Sequence, residues 1–247
     1  STPGAAQAAV PQAETPGDLL ASMASNWVRV PAEDEKPVEL PQSTPGKVAY
    51  LTFDDGPDSL WTPQVLKVLN QYGAKATFYV LGRSVKAFPE VVRELAASGQ
   101  TFGNHSYNHA HIAFFGYGDF FAEINDTKQA VEEALAGMPG TETLVTQCLR
   151  PPYGEVSPSL YNNAAQMGYA LSFWQIDTRD WAKVPPASIV QQVAETIEPE
   201  KTILMHDGGE DRQNTVEALQ LVLHELTMQG YSFPPLCTSD GQATTHP

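Results

Sequence analysis

The sequence predicts an α/β fold organised around a parallel sheet, and three observations lead there. From Lys47 onward, short apolar runs rich in β-branched and aromatic residues alternate with amphipathic helical patterns, the order that crossover connections between parallel strands require. The helical patterns carry start and stop residues at their ends. Polar residues able to do chemistry fall directly after the apolar runs, at the carboxyl edge where parallel sheets collect reactive groups.

Residues 1–46 hold Pro3, Pro11, Pro16, Pro31, Pro37, Pro41 and Pro45 among Ala, Thr, Ser and Gln, a composition that reads as a tail or linker. Leu19, Leu20, Met23, Trp27 and Val28 allow one short helix within it. The first strand is predicted from Val48 to Phe53 and runs into Asp54 and Asp55. Thr62 and Pro63 open a helix that Gly73 closes, and a second strand follows from Ala76 to Leu81. A short segment from Gln100 to Gly103 leads to His105, and a strand from Leu144 to Leu149 leads to Arg150. Ser157 and Pro158 open a helix that ends at Gly168; the strand predicted from Ala170 to Trp174 precedes Asp177. The strand from Thr202 to Met205 delivers His206, and Asn214 with Glu217 reads as a capping box opening the last helix, which Gly230 ends. One domain over residues 47–237 is expected, with 238–247 as a C-terminal tail.

A chain of 247 residues with 42% hydrophobic content can bury one sizeable core. With 14 basic against 29 acidic residues the net charge is -15, which opposes nucleic acid or an anionic membrane as partner and favours a neutral or cationic substrate; the same excess also serves plain solubility. No stretch approaches the roughly 20 apolar residues that span a bilayer. Cys148 and Cys237 fit either one disulfide in an exported protein or two buried thiols.

His105 and His109 are spaced i, i+4, which on a helical turn puts both imidazoles on one face. Alone, such a pair is more often solvated or packed than ligating. Asp55 at a strand end completes two histidines and one aspartate, a catalytic zinc set that leaves a position open for water. His111 is the nearby competitor and reads as a surface or supporting residue. Asp54 beside Asp55 would be costly if both were buried unpaired; a metal at one and Arg150 at the other removes the conflict and frees Asp54 to act as general base. Asp-Asp-Gly-Pro is also good turn chemistry, and the two readings are compatible. His206 is placed to give a proton to a leaving group, with Asp180 holding its other ring nitrogen; a packed core histidine is the plainer reading. Trp174, Trp181 and Tyr153 flank these groups and either stack on sugar rings or fill core.

Taken together these residues resemble the polysaccharide deacetylases of the NodB-homology type, the fourth carbohydrate esterase family. Thr52, Phe53, Asp54, Asp55, Gly56 and Pro57 match its first motif, and His105, Ser106 and His109 its second. Arg150, Pro151, Pro152 and Tyr153 match the third; Asp177, Thr178, Arg179, Asp180 and Trp181 the fourth; Leu204, Met205 and His206 the fifth. The resemblance runs from Lys47 to Cys237. It implies a distorted (β/α) barrel with about seven parallel strands, fewer than the eight-stranded form. It implies Asp54 as base, Asp55, His105 and His109 as ligands of Zn2+ (Co2+ able to substitute), and His206 as acid. Arg150 would orient Asp54, Asp180 would tune His206, and the Tyr153 backbone NH would stabilise an oxyanion. Trp181, Leu204 and Tyr153 would bind the substrate, with Trp181 and Leu204 lining the pocket for its acetyl methyl. The sequence departs from the family after His109, where an aromatic stretch from Phe114 to Phe121 reads either as a sugar platform or as the apolar start of a helix.

The activity this implies is deacetylation of β-1,4-linked N-acetylglucosamine polymers or oligomers, chitin-like chains or peptidoglycan, by a secreted monomer. An acetylxylan esterase is the alternative on the same fold, since only the basicity of the leaving group differs and amide cleavage leans harder on the acid. An inactive carbohydrate-binding module should have lost a base, an acid or a ligand, and none is missing.

Overall fold

The structure, a computed structural model, describes residues 42–238. The short helix expected between Leu19 and Val28, most of the N-terminal tail and residues 239–247 lie outside the described residues. Thr44 already donates its backbone NH to the Gly230 carbonyl at 2.8 Å.

Seven parallel strands form one sheet: β1 (Ala49–Asp54), β2 (Ala76–Val80), β3 (Thr101–Asn104), β4 (Val145–Leu149), β5 (Ala170–Leu171), β6 (Ile176–Asp177) and β7 (Lys201–His206). Their order is β5-β4-β3-β2-β1-β7-β6, so β1 is central and the consecutive strands β5 and β6 are the two edges. Curled round, this is a distorted (β/α) barrel left open between β5 and β6. Among the described residues seven α-helices supply the crossovers and outer layer: α1 (Trp61–Gln71), α2 (Gly82–Ala87), α3 (Pro89–Ala97), α4 (Tyr117–Leu135), α5 (Pro158–Gln166), α6 (Pro186–Thr196) and α7 (Gln213–Met228).

The strands alternate in what they face. Phe53 and Phe78, register partners on β1 and β2, stack with ring centroids 5.1 Å apart among other fully buried apolar side chains. On the other face, threonines tie the ladders together: Thr52 donates to the Ile203 carbonyl at 2.7 Å, and the Thr77 and Thr101 hydroxyls are 2.8 Å apart. Both faces are covered, so the strands read as near-continuous apolar runs with threonines set into them. Gly103 is needed in β3 because a side chain there would run into the Tyr79 ring. Cys148 on β4 and Cys237 form a disulfide inside a cluster with Tyr50, Tyr79 and Leu236, which decides between the two states the sequence left open.

Two predicted boundaries differ in cause. Ser157 does cap α5, accepting the Leu160 NH at 3.0 Å. At α7 the expected capping box is absent: Asn214 donates its amide to the Val184 carbonyl at 3.1 Å, and Asp211 accepts the Gln213 NH at 3.0 Å in its place. A tertiary partner outcompetes the local cap. The strand expected from Ala170 to Trp174 stops at Leu171, because the chain turns away to offer the Phe173 carbonyl to Arg150 at 3.1 Å.

Candidate functional site

The carboxyl ends of the strands gather the polar groups on one rim. In the β1–β7 ladder Asp54 is the register partner of His206, which places a carboxylate and an imidazole side by side. Arg150, fully buried at the end of β4, reaches across the barrel: its Nη1 donates to Asp54 Oδ1 at 2.8 Å and to Thr52 Oγ1 at 2.9 Å. The Tyr79 ring lies under the guanidinium, its centroid 4.0 Å from Cζ. A buried Arg–Asp pair is tolerated only with such satisfaction, and here it leaves Asp54 Oδ2 pointed toward the His105 side, 3.8 Å from its Nε2.

Asp55 turns the other way, with its backbone in the left-handed region at φ 74°. Its Oδ1 is buried and receives no hydrogen bond of normal geometry; His109 Nε2 lies 3.2 Å from it and His105 Nε2 3.5 Å. These three ligand atoms all lie within 4.8 Å of one another. Ligand atoms bound to zinc at about 2.0–2.1 Å in a tetrahedron sit roughly 3.4 Å apart, so the spacing and the orphaned carboxylate oxygen both fit a divalent metal. The His105 Nδ1 lies 2.8 Å from the Arg150 carbonyl, which fixes the tautomer that leaves Nε2 free to ligate. Burial raises the Asp55 carboxyl, but the neighbouring imidazoles of His105, His206 and His109 outweigh it and hold the group well below the usual carboxylate range. Burial, helped by the charges of His105 and Arg83, outweighs Asp55 and Asp54 and leaves His109 below its ordinary value, whereas for His105 the charges of Asp54 and Asp55 overcome burial and raise it.

The helical turn expected to align His105 with His109 does not exist. The segment between them is a loop with Ser106 at φ 67° and His109 at φ 61°. Left-handed residues bring the rings to 5.1 Å between centroids by a route that helical periodicity does not describe.

His206 ends β7. Its Nδ1 is 2.8 Å from Asp180 Oδ1, and its backbone NH donates to Asp180 Oδ2 at 2.8 Å. Thr215 donates to the same Oδ2 at 2.8 Å, so Asp180 is held from three sides. Burial lowers the imidazole, and Asp180, joined by the charges of Asp54 and Asp55, more than reverses this; His206 lies above its usual 6.5.

Tyr153 sits in the single helical turn after Arg150 with φ 62° and ψ 3°, a strained conformation for a tyrosine. Its ring meets His109 edge-on at 4.5 Å and its hydroxyl donates to the His109 carbonyl at 3.3 Å. His111 stacks on the outer face of that ring at 4.3 Å and is paired with Glu155 at 3.0 Å, a supporting position at the rim. Trp181 is half exposed, its Nε1 donating to Asp177 Oδ1 at 3.3 Å, and Leu204 is buried two residues before His206 on the same face of β7. Asp177 lies on the rim but acts locally, also accepting the Arg179 NH at 2.8 Å. The aromatic stretch divides: Phe120 is fully buried, while Phe114, Tyr117 and Phe121 are exposed.

Sequence reasoning missed Tyr79, Glu123 and Asp207. Tyr79 reads as an ordinary strand aromatic, and nothing local says that it underlies Arg150. Glu123 reads as one of many acidic residues on α4. Asp207 had a signal in its place beside His206; it is buried, accepts from Thr62 Oγ1 at 2.6 Å, and burial pushes its carboxyl up to about 7.

Residues 41–172 match the family described as polysaccharide deacetylase. Over 191 residues the chain is 38% identical to a peptidoglycan-N-acetylglucosamine deacetylase of Bacillus cereus, covering 76% of this chain and 85% of that protein. It is 33% identical over 198 residues to a chitooligosaccharide deacetylase of Bradyrhizobium, covering 76% and 88%. The solved structure of the peptidoglycan deacetylase PdaC from Bacillus subtilis superposes with a TM-score of 0.68 at 32% identity over 77% of this chain and 88% of that one. The family match takes in β1 through β5, the relatives carry the likeness across most of the chain, and on both counts this chain belongs to the polysaccharide deacetylase family.

Proposed function

We propose that the chain is a secreted, divalent-metal-dependent amide hydrolase that removes acetyl groups from β-1,4-linked N-acetylglucosamine chains, as chitin oligomers or peptidoglycan glycan. The observation that carries the reading is the buried, unpartnered Asp55 Oδ1 facing two imidazole nitrogens, directly beside a carboxylate on Arg150 and an imidazole on Asp180. The substrate class is supported by relatives named as deacetylases of peptidoglycan N-acetylglucosamine and of chitooligosaccharides. Export is supported by the Cys148–Cys237 disulfide, since such bonds persist in oxidising compartments.

Asp55, His105 and His109 would hold the cation, Zn2+ or Co2+. When bound, it supplies a Lewis acid that polarises the acetyl oxygen and makes water acidic enough to attack. Asp54, oriented by Arg150, takes the proton of the attacking water, whose oxygen bonds to the acetyl carbon. The strained Tyr153 turn presents its backbone NH to the oxyanion of the tetrahedral intermediate. The C–N bond then breaks, His206 gives its proton to the departing nitrogen, and acetate and a free amine result. Trp181, half exposed at the rim, and Leu204, buried on β7, would border the acetyl methyl.

The test is to incubate the protein with an N-acetylglucosamine pentamer, with and without chelator and then with zinc restored, following acetyl loss by mass spectrometry. Chelator-sensitive loss recovered by zinc is expected. No loss from the pentamer with acetate released from acetylated xylan would overturn the amide substrate.

A further inference from the structure

The loop between the two histidines has to be held in shape by something, because Ser106 and His109 both occupy the left-handed region, at a cost on the order of 1 kcal/mol or more each. His105 is anchored at its own ring by the Arg150 carbonyl. His109 meets the Tyr153 ring and accepts the Tyr153 hydroxyl at its carbonyl, but its place also depends on the loop before it, where the Ser106 and Tyr107 carbonyls accept the Gly82 NH at 3.1 Å and the Arg83 NH at 3.2 Å. The left-handed turn at Ser106 sends the backbone NH groups of Tyr107 and Asn108 to the same side, and both donate to Glu123 Oε2 at 2.8 Å. The Asn108 side-chain amide donates to Glu123 Oε1 at 2.8 Å. Successive NH groups converging on one oxygen form an anion nest, and charge-assisted bonds of this length are about twice as strong as neutral ones. Glu123 sits on α4 next to Ile124, whose carbonyl accepts the Asn104 amide at 2.8 Å, while Asn104 Oδ1 accepts the Ser106 NH at 2.9 Å. The helix therefore grips the loop at its start and at its middle.

We infer that Glu123 is a positioning residue for the metal site: it straps the loop to α4 in the shape that brings His109 Nε2 to Asp55 Oδ1. This rests on the reading of Asp55, His105 and His109 as metal ligands. Glu123 touches none of the three, so its effect is on preorganisation, and the property it controls is the affinity of the site for its cation. Replacing such supporting groups in metal sites costs about 10–100-fold in affinity.

The test uses metal-free protein titrated with Co2+, read by calorimetry and by the visible absorption of the bound ion, together with the melting temperature of each metal-free variant. Glu123→Ala removes the strap, and Glu123→Asp keeps the charge but falls one methylene short of the nest. Glu123→Gln keeps the reach: its carbonyl oxygen accepts the two backbone NH groups, and the Asn108 amide can turn to offer its oxygen to the glutamine nitrogen. Affinity is expected to fall about 10–100-fold in Glu123→Ala and Glu123→Asp and by clearly less in Glu123→Gln, which loses the charge but keeps the reach. If Glu123→Ala fails to fold, the contrast between aspartate and glutamine carries the test. Parental affinity in Glu123→Asp, or a fall in melting temperature with affinity untouched, would overturn the inference. Failure of the parent protein to bind Co2+ would overturn the metal reading beneath it.

Discussion

Asp54 and His206 are register partners on β1 and β7, so the proposed base and the proposed acid project from neighbouring strands of one ladder. Their second contacts point apart. Asp54 is tied to Arg150 and His206 to Asp180, which assigns each its own partner of opposite charge. Two titratable groups with separate partners can hold different protonation states at one pH, which is what a base and an acid in the same reaction require.

Asp54→Asn is expected to lower turnover of the N-acetylglucosamine pentamer by about 10²–10⁴ while leaving the fold intact. The asparagine oxygen still accepts from Arg150 Nη1, as Asp54 Oδ1 does at 2.8 Å, but the amide cannot take a proton from water. Steady-state rates with metal affinity measured alongside check this. Parental turnover would remove Asp54 from its role.

Asp180→Asn addresses the other proton. His206 lies above its usual value largely because of Asp180, and as the acid it must be protonated to act. Activity is therefore lost as pH rises through the His206 value, and taking away the carboxylate lowers that value. The alkaline limb of kcat/KM should move to lower pH in the variant. A profile that keeps its alkaline limb would show that another group sets it.

Asp207 makes a prediction about stability. Its carboxyl lies at about 7 in the fold against 3.8 in an unfolded chain, raised chiefly by burial, so the folded state keeps a proton that the unfolded state has released. The contribution is fully present below pH 3.8 and is lost as pH rises to about 7. Asparagine has no charge to desolvate. Metal-free Asp207→Asn should match the parent at low pH and melt more than ~2 °C higher at pH 8. Equal melting temperatures at pH 8 would count against a buried charge there.

The Cys148–Cys237 disulfide closes 89 residues of sequence, and its removal by Cys148→Ser with Cys237→Ser is expected to cost about 2–5 kcal/mol in urea unfolding. Tyr79 connects that cluster to the site, with its hydroxyl 3.3 Å from Cys237 Sγ and its ring beneath Arg150. Turnover should fall with stability. Unchanged unfolding would mean that the barrel interior holds this corner without the bond.

The sequence by itself determined the alternation of strand and helix, and with it the parallel sheet, because apolar runs and helix-ending glycines are local signals. It also placed Asp54, Asp55, Arg150 and His206 at strand ends, since position along a strand is a matter of counting. Only the tertiary structure decided what could not be counted. The histidine pair is brought together by left-handed loop residues and a glutamate on α4, where periodicity suggested a helix. Asn214 gives up its cap for a distant carbonyl, and Tyr79 becomes the floor beneath Arg150 because β2 and β4 flank β3, where Gly103 leaves room for the Tyr79 ring. Strand pairing, long-range hydrogen bonds and burial set these outcomes, and each depends on residues from separate elements meeting only once the sheet has assembled and curled.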